Sequence, residues 1–286
     1  MRIRGLKSVL ALSCLLLLAV AVSAADLEKA KPSGDAHRII YTPARGVAVP
    51  KAGQNIRYHN GPTITSAKVV LIFWGPTFNN AASPDFQYAQ TLIAFRNQFG
   101  TTPEYNVITQ YSGILLSNLV GGQADWFDTS TPPTNVTDAI VQSEVNAYLS
   151  GHGGNNASTV YEVFIPSTSY SSSGNSTSCG GPFLQYCAYH SWIGSGTNAI
   201  KYSIEPYPSC SGCSVAGWSA AQNQEHFTCH ETREAVTDPT GLGWWDNSGA
   251  EADDKCAWSP TPFIGTGGFS YQYEWSNAVR GCVKTL

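Results

Sequence analysis

Val69-Val70-Leu71-Ile72-Phe73-Trp74, closed by Gly75-Pro76, is a continuous run of β-branched, aliphatic and aromatic residues. Such a run, with no polar alternation, fits a strand buried on both faces and so placed inside a sheet that is covered on both sides. Working outward, Ser83-Pro84-Asp85 supplies a helix start: a capping hydroxyl, a proline in the first turn and an acid at the positive end. Phe86, Ala89, Ile93 and Phe99 then recur at roughly helical spacing up to Gly100. A second helix is expected over residues 135–149, where Ile140, Val141, Val145 and Tyr148 share a face. Residues 159–165 read as a strand, 167–181 as a Ser/Gly-rich loop, and 187–193 and 199–204 as two further strands. A third helix is expected over residues 216–237, stopping before Pro239. Beyond Trp244 the chain is loop-rich with short strands. Strands and helices alternate without strict order, which predicts a single α/β or α+β domain with a central sheet and no internal repeat.

The two ends of the chain bound the class. Arg2, Arg4 and Lys7 precede an apolar run that ends at Val22-Ser23-Ala24-Ala25, the pattern of a signal peptide over residues 1–25. Residues 26–56 carry Pro32, Pro43 and Pro50 and little periodicity, and read as an extended leader or propeptide-like segment. The folded domain is expected over residues 57–286. These features predict a secreted, extracellular or cell-wall-associated protein with no transmembrane segment after signal cleavage. The formal net charge of -4 becomes more negative once the leader's basic residues leave, and basic residues are sparse after Arg57. No nucleic-acid partner is therefore expected. Without Cys14 the cysteines are Cys179, Cys187, Cys210, Cys213, Cys229, Cys256 and Cys282. Short spacings lead us to expect Cys179 with Cys187 and Cys210 with Cys213. Cys256 with Cys282 would then leave Cys229 free and buried.

The chemistry concentrates in His230-Glu231-Thr232-Arg233-Glu234. On a helix, His230 and Glu234 lie one turn apart on one face, and Glu231 lies on the same side because successive residues turn by about 100°. Cys229, Thr232 and Val236 point the other way. This is the layout of H-E-x-x-H zinc sites, in which two ligands clamp the metal and the intervening Glu takes a proton from water. Here Glu234 stands at the second ligand position, and a carboxylate oxygen also binds zinc. His226 lies one turn earlier and can extend the stripe. A calcium reading is open as well, from the oxygen donors Asp246, Asn247, Ser248, Glu251, Asp253 and Asp254. A serine triad lacks its strained G-x-S-x-G turn, since Gly194-Ser195-Gly196 is only a flexible loop.

The segment extends to Ala235-Val236-Thr237-Asp238 and on to Trp244-Trp245-Asp246. It resembles the thermolysin-like gluzincin peptidases. That resemblance implies zinc held by His230, Glu234 and Glu251, with Glu231 as general base. It makes Asp254, or Asp246, the hydrogen-bonding support of a ligand or an alternative ligand. Several further motifs occur in order: Tyr58-His59-Asn60-Gly61-Pro62, Leu71-Ile72-Phe73-Trp74-Gly75, Cys187-Ala188-Tyr189-His190-Ser191 and Tyr271-Gln272-Tyr273-Glu274-Trp275-Ser276-Asn277. Over residues 57–286 these resemble the EXORDIUM, or phosphate-induced protein, family in its bacterial and fungal versions. The resemblance implies a secreted, surface- or wall-associated protein. Two functions are thus expected: a secreted zinc-dependent peptidase-like hydrolase, or a non-catalytic EXORDIUM-type protein binding a cell-wall polymer or protein partner. His190 and Tyr273 are candidates to stabilise an oxyanion, although a structural role is the commoner one for each.

Overall fold

The computed structural model describes residues 37–48 and 53–286. The expected signal peptide and the start of the leader lie outside the described residues. A six-stranded mixed sheet forms the centre, built from β1 (Ile40–Pro43), β2 (Lys68–Trp74), β3 (Trp126–Asp128), β4 (Thr159–Ile165), β5 (Tyr186–Ile193) and β6 (Ile200–Pro206). Its spatial order is β1-β5-β6-β4-β2-β3. The β6-β4-β2-β3 part is parallel, while β5 runs antiparallel to both β6 and β1. Three helices pack on it: α1 (Pro84–Phe99), α2 (Asp138–Gly151) and α3 (Ala220–Thr237).

The opening run behaves as a strand covered on both faces must. Val69, Leu71 and Phe73 join Leu92 and Phe95 of α1 and Cys229 and Val236 of α3 in one core. Val70, Ile72 and Trp74 join Val141, Val145 and Tyr148 of α2 in the other. The period-2 alternation of a strand sends successive residues to opposite faces. The start of α1 is the expected one: Ser83 Oγ accepts from the Asp85 backbone N–H at 3.2 Å, and Pro84 occupies the first turn.

Three expectations are corrected. First, the sheet begins before residue 57: Ile40–Pro43 is its outer strand, in register with β5 from Ile40 opposite His190 to Pro43 opposite Tyr186. Second, residues 135–137 are not helical. Asn135–Thr137 pairs in parallel with Tyr170–Ser173 inside the expected Ser/Gly loop, and α2 starts only at Asp138. Third, the disulfides are Cys179–Cys210 and Cys187–Cys213, with Cys256–Cys282 as expected and Cys229 free and buried. Cys210 and Cys213 flank a single 3-10 turn whose Gly212 carbonyl accepts from the Arg45 N–H. That turn lies against β5, so each cysteine faces a different strand or loop and sequence nearness does not decide the pairing.

Candidate metal centre

Helix α3 is fixed at both ends. Ser219 and Gln222 form a reciprocal capping box, Ser219 Oγ accepting from Gln222 N at 3.1 Å and Gln222 Oε1 accepting from Ser219 N at 2.9 Å. Asp238 ends the helix, where Pro239 prevents another turn. Between these ends α3 is polar yet buried on almost every side, with His230, Glu231, Arg233 and Glu234 all at 0% exposure. The sheet beneath it is equally unusual. Thr42, Glu162, His190, Ser203 and Glu205 alternate with apolar residues on their strands, and all are buried. They form a polar layer: Thr232 Oγ1 donates to Glu162 Oε1 at 2.6 Å, and Gln224 Nε2 donates to Glu205 Oε2 at 2.6 Å.

Within this layer two imidazoles converge on carboxylates. His230 Nε2 lies 3.0 Å from Glu234 Oε2 and 3.7 Å from Asp254 Oδ1. His190, arriving from β5, places Nε2 3.8 Å from Glu251 Oε1 and Nδ1 3.7 Å from Glu234 Oε2. Ligand atoms of His190, Glu234 and Glu251 lie within 4.8 Å of one another, as do those of His230, Glu231 and Glu234. Glu234 belongs to both groups. Donors about 2.0–2.2 Å from a common ion in a tetrahedron stand about 3.3–3.6 Å apart, so each group of three comes near the spacing a cation needs, and Glu234 links the two groups.

Both rings are held in the same tautomer. His190 Nδ1 is 3.0 Å from Glu231 Oε2, whose other oxygen accepts from Thr42 Oγ1. His230 Nδ1 is 3.1 Å from Gln272 Oε1. The Gln272 amide is itself oriented, since its Nε2 donates to the Asp253 carbonyl at 2.8 Å. With acceptors at both Nδ1 atoms, each ring carries its proton there and turns an Nε2 lone pair toward the acids. A lone pair beside a carboxylate oxygen is repulsive unless a proton or cation lies between them. Hydrogen-bonded support of this kind at the far nitrogen is what metal-binding histidines ordinarily receive.

The electrostatics point the same way. Among the described residues, no N–H or hydroxyl donates to either Glu251 oxygen. Burial, followed by the charges of Asp238, Glu234 and Asp254, pushes the Glu251 carboxyl well above the usual range, opposed by Arg38. Burial raises Glu231 to about 7, against the pull of His230 and the Thr42 hydroxyl. Burial lowers His190 to about 3. Two neighbouring cations are engaged by other acids: Arg233 pairs with Asp253 and with Glu274 at 3.2 Å, and Lys255 Nζ lies 2.7 Å from Asp246 Oδ2. Backbone groups complete the frame. Asp254 N donates to Glu234 Oε1 at 3.0 Å, and Glu251 N to Asp254 Oδ2 at 3.1 Å. Gly243 N donates to Asp238 Oδ1 at 2.5 Å, at a position where a Cβ would stand 2.2 Å from the Thr237 carbonyl.

The residues singled out in the sequence divide clearly. His230, Glu231, Glu234, Glu251 and Asp254 come together. His226 does not join them: its ring packs at 4.0 Å from Phe227 and 5.2 Å from Trp258. Asp246 is taken by Lys255 and by the Ser248 backbone N–H at 2.8 Å. The oxygen donors of the calcium reading are parted, with Asp253 on Arg233, Asn247 on Gln54 and Glu251 toward His190. Tyr273 packs its ring 4.9 Å from Phe263 and has Lys284 Nζ 5.6 Å above it. His190 is promoted from oxyanion stabiliser to candidate ligand. Gln272 and Thr42 were missed. Alternation along β5, with Ala188, His190 and Trp192 on one face, was the available signal for His190. Cys179, Cys210 and Cys213 also lie close together, but all three are in disulfides. No family model, curated protein or solved structure matches the chain.

Proposed function

We propose that this is a secreted, zinc-dependent, peptidase-like hydrolase. The observation that carries the reading is the pair of Nδ1-anchored imidazoles whose Nε2 atoms face neighbouring buried carboxylates, Glu251 for His190 and Glu234 with Asp254 for His230. His190, His230, Glu234 and Glu251 would hold the ion, with Asp254 beside them. Mixed imidazole and carboxylate donors without thiolate favour zinc among the common ions, whereas calcium takes 6–8 oxygens. A bound zinc ion supplies Lewis acidity toward a carbonyl and toward water. Glu231, which burial raises to about 7, would serve as the general base. In amide hydrolysis the water oxygen joins the carbonyl carbon, the C–N bond breaks, and Glu231 carries the proton to the departing amine. Three disulfides agree with an oxidising compartment, and we carry the gluzincin and EXORDIUM resemblances as part of the proposal.

A second reading is a non-catalytic extracellular protein of the EXORDIUM type, binding a wall polymer or protein partner around a structural metal. It is favoured by one observation: both Glu231 oxygens are engaged, and the residue is 0% exposed. Elemental analysis of the purified chain, joined to a peptide-library assay of wild type and Glu231→Gln, intact and with the N-terminal segment cut, separates the two. The hydrolase reading expects about one zinc per chain and activity lost at least about 100-fold in Glu231→Gln. Zinc without any hydrolysis in either form supports the second reading, and a folded chain that takes up no zinc removes both.

A further inference from the structure

We infer that the edge of β5 beside the metal-type site is a binding groove for an extended peptide, and that the chain's own residues 38–43 occupy it. The chemistry attached to the groove rests on the hydrolase reading, whereas the binding itself does not. Without β1, β5 would be an outer strand with unpaired backbone N–H and C=O groups next to His190, and such an edge takes up an extended chain by strand addition. In the structure β1 fills that edge antiparallel, with Ile40 opposite His190 and Thr42 opposite Ala188.

The occupant engages the chemical groups of the site as well as the edge. Thr42 donates its hydroxyl to Glu231. Arg38 ties the segment to the loop that leads into Glu251, its Nη2 donating to the Gly249 carbonyl at 3.3 Å. A segment that brings a hydroxyl to the candidate base explains how the site comes to be covered. Alternation also gives the groove a preference. Ile40 and Thr42 face the α3 side, Ile40 packing with Trp192, while Tyr41 turns to the rings of Tyr186 and Tyr189 at 4.9 and 5.7 Å. The groove therefore fits a peptide with β-branched residues at alternate positions and an aromatic between them. As an intramolecular strand the segment competes at high effective concentration, which keeps free peptides out.

The test uses the full chain carrying the recognition sequence of a site-specific endopeptidase between Gly53 and Gln54, both exposed. After cutting, a labelled peptide of residues 37–48 should replace the severed segment and bind saturably, while a scrambled peptide should not. Thr42→Ala in that peptide should weaken binding about ten-fold, as expected for losing a hydrogen bond to a charged group. Near-UV circular dichroism of the core should persist throughout. With zinc present, library hydrolysis should rise at least about ten-fold on cutting. Saturable binding without hydrolysis keeps the groove and removes the hydrolase reading. Equal hydrolysis before and after cutting removes the occupied groove and keeps the hydrolase. A severed segment that neither leaves nor exchanges, or that leaves only with loss of the folded signal, also overturns the inference.

Discussion

His190 and His230 reach the site from a strand and a helix, yet each is fixed by an acceptor at Nδ1, Glu231 in one case and Gln272 in the other. This arrangement predicts that Gln272→Leu leaves the fold intact but weakens metal binding by about 10–100-fold, read by competition with a chromophoric chelator. An unchanged affinity would show that the Gln272 contact does not support a ligand. His226→Ala, by contrast, should leave metal affinity unaltered, because its ring lies among Phe227 and Trp258. The helical spacing made His230, Glu231 and Glu234 legible from residue order alone. His190 and Gln272 were not legible as partners, because they lie 40 and 42 residues from His230 and nothing local says where they meet it.

At the scale of elements, α3 and the strands beneath it bury several carboxylates against one another. Burial raises Glu162 to about 8 from its ordinary 4.5, against the Thr232 hydroxyl and the charge of Arg96. Between these values the folded chain holds a proton that the unfolded chain releases. Glu162's contribution is therefore full below about pH 4.5 and is lost as pH rises through about 8. Chemical denaturation of metal-free protein should show Glu162→Gln gaining on wild type as pH climbs through that window; parallel curves would mean that Glu162 does not titrate as its burial dictates. Ser219→Ala, which removes the capping box, should cost about 1 kcal/mol in the same measurement. The main strands and helices followed from apolar runs and caps. The polar layer did not, since a single Glu162 inside Thr159–Ile165 reads as an exception until α3 is seen above it. Residues 135–137 misled for a related reason: parallel pairing with Tyr170–Ser173 outweighed a local helical pattern.

For the whole molecule, the C-terminal region is tied by Cys256–Cys282, with a sequence separation of 26. Replacing both cysteines by serine should cost about 3 kcal/mol, measured by denaturant unfolding. A cost near zero would mean that the hairpin Glu274–Ser276 with Gly281–Val283 is held by packing alone. Cysteine count and the free Cys229 were readable from the sequence, but the crossing of Cys179–Cys210 with Cys187–Cys213 depends on a turn brought to β5 by the tertiary fold. So does the closure of the site by Ile40–Pro43, whose prolines and weak periodicity hid a strand. The central claim is that two imidazoles and their carboxylates hold one ion. Zinc content by elemental analysis, in wild type and in His190→Ala with His230→Ala, tests it most directly. The account predicts about one zinc per chain in wild type and a loss of at least about 100-fold in affinity in the double variant; a folded wild type that binds no zinc, or a double variant that binds it equally well, would contradict it.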